Sequence, residues 1–141
     1  MPRVVLDTNV LVSAFLFYDR GGLPAELLRH AREQRFTLVA SEPMLDELEG
    51  VLTRDARTQD RYGYTPEDVA AYRTLLETQA VLVTPVPPFP KICRDPDDDL
   101  IVATAVVANA DKLVTGDNDL LTLGEHRGVR IVTPRQFLDE L

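Results

Sequence analysis

Apolar positions along this chain switch repeatedly between short runs and a spacing near 3.6 residues. Val4-Val5-Leu6 is a β-branched run that predicts a buried strand ending at Asp7. Val10 to Phe17 predicts a first helix, broken by Gly21-Gly22. Pro24 to Gln34 predicts a second, with proline near its start and Leu27, Leu28 and Ala31 at helical spacing. Phe36 to Ala40 predicts a second strand. Ser41 follows as the N-cap of a helix carrying Met44, Leu45, Leu48, Val51 and Leu52. Arg54 to Tyr64 is polar throughout and predicts a surface connection. Thr65-Pro66-Glu67-Asp68 combines a cap, a proline at the first helical position and first-turn acids, so a helix is expected to about Gln79.

Val81-Leu82-Val83 predicts a third strand. The prolines concentrated between Pro85 and Pro96 predict an extended connector. Leu100 to Ala110 is apolar nearly all round and predicts a buried helix. Leu113-Val114-Thr115 and Arg130-Ile131-Val132 predict the fourth and fifth strands, and Thr133-Pro134 opens a last short helix. Strand and helix alternate from end to end. The predicted fold is a three-layer α/β/α sandwich with a mainly parallel central sheet, formed as one domain over residues 1–141.

Composition narrows the chemistry. With 45% hydrophobic and 27% charged residues the chain is ordinary for a globular protein. Cys93 is the one cysteine, which excludes an internal disulfide and a cysteine-based zinc site and makes a reducing cytoplasm the expected compartment. The longest apolar stretch, Leu100 to Ala108, is too short to span a bilayer. The net charge of -8 argues against a domain that holds nucleic acid by a basic surface. It leaves open a cluster of acids filled by metal.

The placement of the acids bears on that alternative. Ligands of an open parallel sheet sit beyond the carboxyl ends of its strands. Asp7 directly follows the first strand, and Asp117 lies two residues after Thr115 at the end of the fourth, so both belong to one rim. Asp95, Asp97, Asp98 and Asp99 crowd the start of the buried helix. One acid there is a helix cap; four repel unless a cation neutralises them. Glu47 sits at the edge of its helix's apolar stripe, where a carboxylate can point into a cleft, while Asp46 and Glu49 read as solvated. Carboxylates with water are the ligands preferred by Mg²⁺ and Mn²⁺. His30 and His126 lie in polar surroundings, Ser13 and Ser41 lack a GxSxG setting, and neither GxGxxG nor GxxxxGK[ST] occurs.

VVLDTNVLVSA, SEPMLDELEGVL and DPDDDLIVATAVVANADKLVTGDNDLL resemble, in order and spacing, the PIN-domain family of metal-dependent ribonucleases. More narrowly the chain is similar to the VapC-type toxins of toxin–antitoxin pairs. The resemblance implies hydrolysis of RNA phosphodiesters with Mg²⁺ or Mn²⁺ held by Asp7, Glu47, Asp99 and Asp117, with Asn9 supporting Asp7. Asp99 is preferred over Asp98 because it keeps the family's distance to Val114-Thr115-Gly116-Asp117 and sets Ala103 and Ala105 on small-residue positions. Asp119 is expected to cap the next short helix. Arg54, Arg57 and Arg61 are the first candidates for phosphate contacts, with Arg94 and Lys112 behind them. An antitoxin protein and a homodimer are the partners the resemblance implies.

Two rivals compete. A haloacid-dehalogenase-like phosphatase also places an aspartate after its first strand, but Asn9 stands where its second acid belongs. A non-catalytic interaction domain of the same fold would not need all four acids.

Overall fold

β1 (Arg3–Leu6) occupies the middle of the sheet, and its sequence Arg-Val-Val-Leu shows why. A strand covered on both faces needs apolar residues at consecutive positions. In the computed structural model, which describes residues 1–141, Val4 and Leu6 face one core and Val5 the other. β2 (Thr37–Ser41), β3 (Val81–Val83), β4 (Lys112–Val114) and β6 (Val129–Val132) lie parallel to β1. The order across the sheet is β3-β2-β1-β4-β6-β5, closed at one edge by the antiparallel β5 (Glu125–His126).

Seven helices cover the two faces. α1 (Thr8–Leu16), α2 (Leu23–Arg32), α3 (Glu42–Thr53), α5 (Pro66–Gln79) and α8 (Pro134–Glu140) supply the first core. There Phe36 meets Phe137 edge to face at 5.0 Å. α6 (Pro96–Val107) and α7 (Asn118–Leu123) supply the second, through Ile101, Val102, Ala105 and Leu120. The three-layer α/β/α arrangement expected from the sequence is the one observed.

Three local readings need correction. Arg54–Tyr64 is not merely a connection: it contains α4 (Ala56–Tyr62), capped by the Asp55 side chain and ended by Gly63 at φ 70°. None of its residues is buried, so no apolar period announced it. β5 is two polar residues long and leaves no pattern; it pairs through a two-residue turn in which Arg127 and Gly128 both have positive φ. α6 begins at Pro96, not Leu100, so Asp97, Asp98 and Asp99 form its first turn. The Thr65 capping box of α5 is present as expected.

Candidate active site

The register of the central strands builds the site. Leu6 pairs with Val114, so Asp7 and Thr115 emerge side by side from the carboxyl ends of β1 and β4. The Asp7 amide donates to the Val114 carbonyl at 2.9 Å, and the carboxylate is only 3% exposed. Thr115, fully buried, donates its hydroxyl to Asp7 Oδ2 at 2.7 Å and accepts from the Asp117 amide at 3.0 Å. One hydroxyl thus orients Asp7 and the turn that carries Asp117. Burial raises the Asp7 carboxyl above the usual carboxylate range; the Thr115 hydrogen bond opposes that rise, and Asp117 adds to it.

Asp98 reaches the same place from the first turn of α6. It is 8% exposed and pushed up to about 7, first by burial and then by Asp117 and Asp7. Glu47 comes from the second turn of α3, which starts at the carboxyl end of β2. It too is pushed up to about 7, by burial and then by Asp97, Asp7, Asp95 and Asp98. Its Oε2 is buried with no hydrogen-bond partner. None of the chain's ion pairs reaches Asp7, Glu47, Asp98 or Asp117. Four carboxylates, two following strand ends and two from the early turns of α3 and α6, therefore share one rim with no basic side chain paired to them.

Asp99 is the acid that the structure takes away from this group. Its Oδ1 accepts from the amides of Ile92 and Cys93 at 2.9 and 2.7 Å, tying the proline-rich connector to α6. Successive helical residues point about 100° apart, so only one of the pair Asp98–Asp99 can face Asp7. That residue is Asp98, and the expected choice of Asp99 is corrected.

The sequence model of the PIN-domain family matches residues 3–119. This chain belongs to the PIN-domain family. Its fold is also similar to that of a solved chain described as VapBC2 from Rickettsia felis bound to a DNA fragment from their promoter. The two are 15% identical, the match covers 93% of this chain and 98% of that one, and the TM-score is 0.61. No curated protein sequence matches it significantly.

Within this PIN domain the remaining expected residues fall as follows. Asn9 is exposed in the first turn of α1; Thr115 is the side chain that hydrogen-bonds Asp7. The cap of α7 is Asp117, whose Oδ1 accepts from the Asp119 amide at 2.9 Å, and not Asp119. Asp119 instead binds Arg94 Nη2 at 2.6 Å, which brings Arg94 beside the turn that carries Asp117. Arg54, Arg57 and Arg61 begin only after α3 has run 12 residues, roughly 18 Å of helix, from the rim. Lys112 stands at the amino end of β4, paired with Glu140. The residue that sequence reasoning passed over is Thr115, whose signal was its place at a strand end two positions before Asp117.

The donor set suits a hard divalent cation. It consists of carboxylate oxygens, one of them buried and unpartnered, and their mutual repulsion is of the kind that a cation relieves. As the side chains stand, no three of them lie close enough together to hold an ion in common.

Proposed function

We propose that this PIN domain is a metal-dependent ribonuclease, with Asp7, Glu47, Asp98 and Asp117 holding Mg²⁺ or Mn²⁺, and that it is the toxin of a toxin–antitoxin pair. One observation carries the reading: Glu47 and Asp98 are both raised to about 7 by burial and by neighbouring acids, at a rim where no arginine or lysine pairs with them. Carboxyls in such an arrangement are only partly ionised near neutral pH, and a bound cation favours their ionised form. A bound divalent ion supplies a water of lowered pKa and polarisation of a phosphoryl oxygen.

The chain's own residues divide the remaining work. Thr115 fixes the Asp7 carboxylate, and with it the turn bearing Asp117, so these two acids need little rearrangement on binding. Asp98 and Glu47 approach from the helices above the strand ends. Ionised, their carboxylate oxygens can accept a hydrogen bond from an attacking water and orient it. Arg94, 87% exposed beside Asp119, is the side chain available to a phosphate entering the rim.

The likeness to a chain of the VapBC2 assembly supports an antitoxin partner for this chain. A net charge of -8 favours a basic segment in that partner, since complementary charge speeds and orients association. The test is incubation of the purified chain, freed of any bound partner, with a mixed single-stranded and structured RNA pool and Mn²⁺ or Mg²⁺. Cutting that EDTA stops and Asp7→Asn abolishes is expected. Intact RNA in every lane would overturn the nuclease reading.

A further inference from the structure

α3 presents acids on two flanks. Its buried stripe is Met44, Leu45, Leu48 and Leu52. At about 100° per residue, Glu42, Asp46 and Glu49 lie roughly 85–145° round one side of that stripe, and Glu47 about 115° round the other. The first three acids converge on one arginine of α5. Arg73 Nη2 binds Glu42 at 2.6 Å, and its Nη1 binds Asp46 at 2.7 Å and Glu49 at 2.8 Å. Glu77 of α5 stands 3.5 Å from Arg73 Nε. The Arg73 side chain is 19% exposed, so solvent screens these contacts less than it does an open surface pair.

A single contact would suffice to join two helices. Carboxylates at positions i, i+4 and i+7 bound to one planar guanidinium also restrict rotation of α3 about its own axis. The rotation matters because Glu47 Oε2 has no hydrogen-bond partner and its direction follows from that of its helix. Side chains extend to a radius of roughly 5–6 Å, so a turn of α3 by about 20° displaces the Glu47 carboxylate by roughly 2 Å. Metal–ligand distances tolerate only about 0.2 Å.

We infer that Arg73 is a positioning residue for Glu47: by gripping Glu42, Asp46 and Glu49 it sets the rotation of α3 and so aims Glu47 at the acid cluster. This rests on the metal-site reading of those acids. It separates Arg73 from a plain staple between α3 and α5, which would support stability without acting through Glu47.

The test is a double-mutant cycle in Mn²⁺ affinity, read from the electron paramagnetic resonance signal of free Mn²⁺ over the full chain, with thermal melts alongside. Arg73→Met is expected to weaken binding roughly ten-fold when Glu47 is present. In a Glu47→Gln background the same change is expected to alter affinity by no more than about two-fold. An equal loss in both backgrounds, or none in either, overturns the inference. Should Arg73→Met fail to fold, Asp46→Asn with Glu49→Gln keeps the arginine and removes two of its grips; the same Glu47-dependent loss is expected, and its absence overturns the inference. A wild-type chain that binds no Mn²⁺ overturns the metal-site reading and this inference together. A wild type that binds, beside an Arg73→Met variant that binds equally well, overturns this inference alone.

Discussion

Asp98 and Asp99 are neighbours of the same type, both nearly buried, in opposite electrostatic situations. Asp99 accepts two amide hydrogen bonds, from Ile92 and Cys93. Asp98 faces Asp7 and Asp117 and is pushed up to about 7. A carboxyl raised above its unfolded value of 3.8 binds its proton more tightly in the folded chain, so it lowers stability as pH rises from about 4 to 7. Glu47, raised from 4.5 to about 7, acts in the same direction. Metal-free protein carrying both Asp98→Asn and Glu47→Gln should therefore melt higher than wild type at pH 8, on the order of a few degrees. The gap should close towards pH 4.5. A wild type that melts higher than the variant at pH 8 in EDTA would show that these acids are not crowded.

At the scale of elements, the site depends on helices that begin at strand ends and are locked to one another behind the rim. α1 leaves directly from Asp7, and one turn on it is tied to α5 by the Tyr72 hydroxyl, which donates to the Leu11 carbonyl at 2.8 Å in a buried setting. Tyr72→Phe removes this buried hydrogen bond, which adds to the helix's own ladder at Leu11, and should cost about 1 kcal/mol in chemical denaturation. Because the Tyr72 hydroxyl bonds the helix backbone and none of the acids, RNA cleavage should change little; a rate that fell with stability preserved would place Tyr72 in the site. Much of this framework was legible in sequence. Val4-Val5-Leu6 and Thr65-Pro66-Glu67-Asp68 carry enough local signal to fix an element alone. α4 and β5 do not, because their residues are polar and largely exposed and neither contributes a stripe to a core. Of the expected acids, Asp7, Glu47 and Asp117 face the rim. Counting residues could not choose between Asp98 and Asp99, since the choice depends on where the amides of Ile92 and Cys93 fall once the connector has folded back. The grip of Arg73 on Asp46 and Glu49, both read from sequence as solvated, is likewise a tertiary fact.

For the whole molecule the central fact is charge. A chain of net charge -8 repels an RNA backbone, and eight of its 15 basic residues are paired with acids other than the four at the rim. On the proposed nuclease function, attraction would come from cations held at the acids that the fold gathers at the carboxyl edge of β1 and β4. The most direct measurement is the single-turnover cleavage rate of one labelled single-stranded RNA at saturating Mn²⁺, compared across wild type, Asp98→Asn and Asp99→Asn. Asp98→Asn should slow cleavage roughly a hundred-fold, as removal of a ligand or its close support does. Asp99→Asn should cleave within a few-fold of wild type (about the scatter of an independent site) while melting lower. Asp98→Asn cleaving like wild type, with Asp99→Asn inactive, would contradict the site described for this chain.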